Sequence, residues 1–182
     1  MPTLAAPRAR AGWWTVAGIA VVVAAYAALA WDRRWIADDG LIVVRCVREL
    51  LAGHGPVYSP FERAEPATST LWMWLVAAIA WPTGADVARL AVALGGALAV
   101  GGVALALAAT ARLHRAAGHA GALVPIGGLI VLGVPPFWDY ATSGLETGLA
   151  LAWIGAAWWL LVGLRVGAAR PRLTAVVLGL GQ

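Results

Sequence analysis

Asp38 and Asp39 stand side by side in the stretch WIADDGLIVVRCVREL, residues 35–50, directly after a long apolar run. Adjacent carboxylates repel. In a partly desolvated setting one of them takes up a proton, or a cation or an arginine balances the pair. The two open an amphipathic helical pattern, with Leu41, Val44, Val47 and Leu51 on one face and Arg45, Arg48, Glu49 and Ala52 on another. Such a helix rests on a membrane with its polar face toward water, and Gly53 and Gly55 stop it. The plainer reading makes one Asp the N-cap and lets the other complement the helix dipole. That explains one carboxylate better than it explains two, so the pair is a candidate functional site.

Other carboxylates are weaker candidates. Glu62, Arg63 and Glu65 precede the apolar run Thr70 to Trp81, with Thr68 or Ser69 placed to cap it; a solvated loop explains them equally well. Trp72 and Trp74 suit anchoring at a membrane interface, where indole prefers to sit. Glu146 lies between Gly144 and Gly148, a G-x-x-x-G spacing that signals helix packing. A carboxylate deep in a bilayer costs roughly 2.5–3.5 kcal/mol and much less at the edge. Glu146 therefore either reaches water at a positive helix end or faces the same cavity as Asp38 and Asp39. His54 reads as a loop residue, and His114 and His119 fall at the opposite side. Cys46 is the single cysteine, so there is no internal disulfide, and the three histidines lack zinc-site spacing.

The elements that position these residues are membrane helices. Of 182 residues 62% are hydrophobic and 12% charged, against about 25% charged in a soluble domain; the mean hydropathy is +0.80. All 13 basic residues are Arg, spread through short loops with no basic block, which excludes nucleic-acid binding. Gly12 to Trp31 is a 20-residue run without charge, about 30 Å as a helix and so one hydrocarbon core. Its rival is a cleaved signal peptide with Ala28-Leu29-Ala30 as the cleavage site. Residues 87–110, 121–135 and 144–164 are the further spans, and Leu173 begins another apolar run. The 12 residues 70–81 suit an in-plane helix.

Charge orients these segments. If 70–81 does not cross, segments 1–11, 111–120 and 165–172 share one side and hold seven Arg and no acid, while all nine acids lie on the other. The positive-inside rule makes the Arg-bearing side cytoplasmic. The expected fold is an all-α integral membrane protein. Its order is a cytoplasmic N-terminus (1–11), a span at 12–31, a first outer loop at 32–86 with interfacial helices, and a span at 87–110. A cytoplasmic loop (111–120), a span at 121–135, an outer loop (136–143) and a span at 144–164 follow. Residues 165–182 form a cytoplasmic loop and an unfinished fifth helix, so the chain reads as the N-terminal part of a longer protein.

A span followed by an outer loop with an early acidic pair and a second in-plane helix resembles the GT-C glycosyltransferases, membrane enzymes that use polyprenyl-phosphate sugars. Three stretches sharpen this: W-I-A-D-D-G-L-I at 35–42, E-P-A-T-S-T-L-W at 65–72 and T-S-G-L-E-T-G at 142–148. In that order they resemble the terminal β-(1→2) arabinofuranosyltransferases of mycobacterial-type cell walls, over about residues 10 to 165. The resemblance implies a decaprenyl-phosphate-arabinose donor, an arabinan acceptor and a site on the extracytoplasmic face of the plasma membrane. The family's acidic pair falls on Asp38 and Asp39. One would act as general base on the acceptor hydroxyl, and the other would orient it or help hold a divalent cation against the phosphate. If configuration is retained, one Asp would instead attack the anomeric carbon. Arg33, Arg34, Arg45 or Arg63 would bind the phosphate, or each would simply meet lipid headgroups. Glu65 and Glu146 are further substrate-side candidates. Family members continue through many more spans into a C-terminal outer domain, so the resemblance is to their N-terminal part.

Two other readings stay open. One is a transferase of another polyprenyl-phosphate sugar, mannose or aminoarabinose. The other is a non-catalytic membrane protein or an inactive truncated chain. A transporter should carry its charges near mid-bilayer in broken helices, whereas here the acids gather at one interface.

Overall fold

The computed structural model describes residues 6–61, 68–167 and 171–179, and the regular elements among them are helices. They are α1 (Ala6–Asp32), α2 (Asp38–Leu51), α3 (Thr70–Thr83), α4 (Val87–Ala116), α5 (Ile126–Gly133), α6 (Pro136–Asp139), α7 (Thr147–Arg165) and α8 (Pro171–Gly179), with a 3₁₀ turn at Tyr140–Thr142. Three of them, α1 from Gly12, α4 and α7, are long and apolar enough to cross a membrane.

The fourth expected span differs. Residues 121–135 contain only the eight-residue α5, about 12 Å long. Pro125 stands at its start and Pro135 and Pro136 beyond its end; each proline removes a donor and its ring blocks the preceding turn. Even so, the chain from Leu123 to Asp139 keeps company with α1 and the residues just after it. Leu123 N–H donates to Thr15 Oγ1 at 2.9 Å, Gly128 lies against Val22, Tyr26 O–H donates to Phe137 O at 2.6 Å, and Trp35 Nε1–H donates to Asp139 O at 2.9 Å. Extended residues rise about twice as far per residue as helical ones, so a broken segment covers the distance that α1 covers as a helix.

The helix pair α4 and α7 runs parallel on glycine. Gly148 lies on the Gly95 carbonyl and Gly155 on the Gly102 carbonyl, backbone against backbone. Lipid supplies no hydrophobic drive between helices, so close van der Waals approach through small residues holds such a pair. The spacing that packs is therefore seven residues on each helix. Gly144, the other half of the expected G-x-x-x-G, precedes α7 and packs elsewhere.

At the end of the bundle where α4 begins, α2 and α3 fold back onto it. Val43, Val44, Cys46 and Val47 of α2 are buried against Trp72, Met73, Val76, Ala77 and Ala80 of α3 and Val87 and Ala91 of α4. The apolar face of α2 thus turns toward protein, and its outer members Leu41 and Leu51 stay exposed. Glu49, expected on the polar face, is buried; its two oxygens meet Arg45 at 2.6 Å and His54 Nδ1 at 2.6 Å. The loop after Gly53 covers it, and both of its charged oxygens are answered as burial requires. Asp86 caps α4 by accepting the Arg89 N–H at 2.9 Å. That bond, foremost, holds its carboxyl below the usual range.

Cys46 is fully buried, and burial pushes its thiol up. The thiolate is the form that alkylates. A maleimide at neutral pH is therefore expected to label Cys46 at least roughly tenfold more slowly than an Ala52→Cys, Cys46→Ser variant, with the difference removed by SDS. Equal rates in native membranes would mean that α2 does not stay packed on α3.

Candidate functional site

The three stretches singled out in the sequence meet at one place. Ala37 N–H donates to Ser143 O at 2.8 Å. The fully buried Trp72 donates its indole N–H to Gly144 O at 2.8 Å. A Cβ on Gly40 would stand 2.5 Å from Ser143 O, and one on Gly144 would press on Ile36. The start of α2 is thus clamped backbone to backbone onto residues 143–144. Gly40 is glycine because nothing larger fits there, and Gly144 also sits at φ 82°, a conformation glycine adopts at little cost. Beside the clamp, the rings of Trp35 and Tyr140 meet edge to face, their centroids 5.6 Å apart.

Asp38 and Asp39 form the first turn of α2 on top of this clamp. The N-cap is Ala37, without a side-chain cap, so neither Asp is the cap. Both are exposed, and among the described residues neither takes a hydrogen bond or an ion pair. Successive helical residues point about 100° apart, so the two carboxylates do not aim at one point. Asp39 lies on the flank that continues into buried Val43 and Cys46, and Asp38 on the flank shared with exposed Leu41 and Arg45. Glu146 follows Gly144 by two residues, at the start of α7, and its Oε2 is buried without a hydrogen-bond partner. The clamp thus brings the first turn of α2 and the start of α7 into one region.

The arginines divide. Arg34 donates to Trp31 O at 2.7 Å and lies 4.8 Å over the Trp31 ring. Arg45 is held by Glu49 and donates through Nε to Tyr58 O at 3.2 Å. Arg33 is exposed, and among the described residues its side chain has no partner. Arg63 and Glu65, with Glu62, lie outside the described residues.

Sequence reasoning missed Trp72, Gly40 and Ser143 as parts of the site. Trp72 was expected at the interface, yet Trp74 is the half-exposed one. The signal was present: Trp72, Met73, Val76, Ala77 and Ala80 recur at helical spacing and mark one buried stripe. Ser143 lies in the T-S-G-L-E-T-G stretch, but nothing there marked its burial, which follows from the α2 contact.

An apolar cleft of about 420 Å³, lined by Pro136, Phe137, Tyr140, Thr147, Ala150 and Leu151, opens beside the Trp35–Tyr140 contact.

No family model matches the chain, and no solved structure matches it. Two curated relatives do. The chain is 44% identical over 153 residues to the terminal beta-(1->2)-arabinofuranosyltransferase of Mycobacterium tuberculosis, covering 82% of this chain and 24% of that protein. It is 43% identical over 132 residues to the protein of the same name from Corynebacterium glutamicum, covering 72% of this chain and 19% of that protein. The chain spans about a quarter or less of the length of the curated relatives it matches. Over most of its own length, it is a relative of the N-terminal part of terminal β-(1→2)-arabinofuranosyltransferases.

Proposed function

We propose that the chain forms the donor-side, acid-bearing part of a membrane glycosyltransferase that moves arabinofuranose from a decaprenyl-phosphate carrier to a cell-wall arabinan. The observation that carries this is the clamp, because residues 35–42, Trp72 and 143–144 all serve to hold one helix turn bearing two exposed, unpaired carboxylates. A rigid backbone under a flexible acid is the arrangement that positions a general base.

One carboxylate takes the proton of the acceptor hydroxyl. Because the pair diverges, the second does different work: it would orient the acceptor or help hold a divalent cation. A divalent cation, if carried on the donor phosphate, would be held by that carboxylate and would offset the phosphate charge. Of the candidates Arg33, Arg34 and Arg45, Arg33 is the one left free to meet the phosphate, and bidentate guanidinium–phosphate pairing suits the task. The apolar cleft beside Tyr140 suits a prenyl tail.

The topology that goes with this reading has four crossings, the third made by the broken segment 121–135. The ends of α1, α4 and α7 support it by their charge. Arg112, Arg115 and Arg165 fall without an acid at the end where α4 and α7 finish, whereas at the other end Arg33, Arg34, Arg45, Arg48 and Arg89 stand among Asp32, Asp38, Asp39, Asp86 and Asp139. The basic end is cytoplasmic by the positive-inside rule, α2 and α3 lie in the outer interface, and the site faces outward.

The test is transfer from synthetic polyprenyl-phosphate donors by membranes carrying the full reading frame that contains this chain. Donors bearing arabinofuranose, mannose and aminoarabinose are compared. Transfer from the arabinose donor alone is the expected result. Transfer from another donor would change the sugar, and no transfer from any intact donor would sink the reading.

A further inference from the structure

At the end of the bundle away from the acidic pair, a cavity of about 310 Å³ lies between the start of α1 and the end of α4. Gly12 and Thr15 line it from α1, Ala111, His114 and Arg115 from α4, and residues 118–121 close it. Thr15 is about 26 Å along α1 from Asp32, so this cavity is separate from the site above.

Three observations bear on what it takes. The Nε2 atom of His114 is buried and has no hydrogen-bond partner. Arg115, exposed beside it, makes no ion pair or hydrogen bond through its side chain among the described residues. His119 stacks on His114, ring centroids 4.7 Å apart and planes 14° apart, with its Nδ1 3.3 Å from His114 O. The stack fixes the plane of the His114 ring. Complementing the dipole at the end of α4 accounts for Arg115; it does not account for a buried ring nitrogen left without a partner.

Among the described residues lining the cavity Arg115 is the charged one, His114 and His119 stand beside it, and the first acid along α1 is Asp32 at its far end. A donor imidazole and a free guanidinium, walled by Gly and Ala, suit an anion with several acceptor oxygens and little bulk. We propose that this cavity binds a phosphate-bearing anion, with His114 Nε2–H and the Arg115 guanidinium donating to its oxygens. Basic pockets between transmembrane helices at the cytoplasmic surface take anionic lipid headgroups, which makes a phospholipid phosphate the first source to test and soluble phosphate the second. The proposal rests on α1 and α4 crossing the membrane and is independent of the transfer chemistry.

The experiment is native mass spectrometry of the purified chain from micelles doped with phosphatidylglycerol or phosphatidylcholine, with and without millimolar inorganic phosphate. Preferential retention of phosphatidylglycerol is expected. Arg115→Gln should weaken it roughly tenfold, the effect of one charge-assisted hydrogen bond, and His114→Leu comparably. Arg165→Gln, at the same end but outside the cavity, should leave it unchanged. Arg115 is exposed, so its variant keeps the test sound if the His114 variant fails to fold. Protection or binding by inorganic phosphate alone, lost in Arg115→Gln, would keep the anion site and assign it a soluble source. Equal retention of both lipids with no phosphate binding, or equal loss in Arg115→Gln and Arg165→Gln, would overturn it.

Discussion

Asp38→Asn and Asp39→Asn are expected to separate sharply in arabinose transfer. One should lose between about 10² and 10⁴ of its rate, the contribution of a positioned general base, and the other substantially less. Asparagine keeps the volume and the helical first turn while removing the basic oxygen. Both side chains are exposed and, among the described residues, unpaired, so neither change leaves a buried group unsatisfied. Protein level and Cys46 labelling should therefore stay at the unsubstituted values, and the loss should be read as chemistry. The two should differ because the helix sets them about 100° apart. Asp39 stands next to the buried flank and Asp38 on the outward flank with Leu41 and Arg45. If both variants transfer at the original rate, the pair only complements the α2 dipole, and Glu146, with its unsatisfied buried oxygen, becomes the residue to change.

Gly148→Leu should have the largest effect on folding. A single Cβ at this position already collides with the Gly95 carbonyl, and that obstacle is backbone, so no rotamer change relieves it. Overpacking of a close interface costs typically 1–3 kcal/mol and more where nothing can move; about 3 kcal/mol or more is expected here. The natural comparison is Gly101→Leu on the same helix pair, where a Cβ meets nothing within 4 Å. Helix propensity favours Leu over Gly by at most about 1 kcal/mol in a helix interior, less than the clash expected at Gly148. Unfolding by SDS in mixed micelles should show Gly148→Leu shifted far toward the unfolded side and Gly101→Leu close to the original. Equal behaviour would mean that α4 and α7 are held by something other than glycine contact.

Because Gly148 leads α7 directly from the clamp at Ser143–Gly144, displacing α7 should also disturb the seat of α2. Transfer should then fall in Gly148→Leu even in the fraction that stays folded. The site is thus a consequence of helix packing, and not of α2 alone.

The helices and their charge bias were legible because they depend on local quantities. Gly12 to Trp31 is apolar over the length of a bilayer core, and so are most of residues 87–110 and 144–164; these became α1, α4 and α7. The start of α2 at Asp38 was readable from its period and from Gly53 and Gly55 beyond it. The likeness to arabinofuranosyltransferases was legible in three short runs of side chains, and those runs turned out to touch one another.

Other features were not local. Residues 121–135 are apolar enough for a span, but prolines at either side leave eight helical residues, and only neighbours on α1 show the path the rest takes. Glu49 has the look of a solvent-facing residue until His54 folds back over it.

What the sequence determined by itself was which segments avoid water, where the charges lie along the chain and that two carboxylates open a helix. Hydropathy, period and charge are properties of residues in order. Only the tertiary structure decided that Gly148 meets α4 while Gly144 meets the start of α2, that Trp72 is buried on Gly144 O, and that Asp38 and Asp39 stand unpaired above a backbone clamp. Those depend on which surfaces lie within a few ångströms of each other, and contacts between residues a hundred positions apart follow from how whole helices pack.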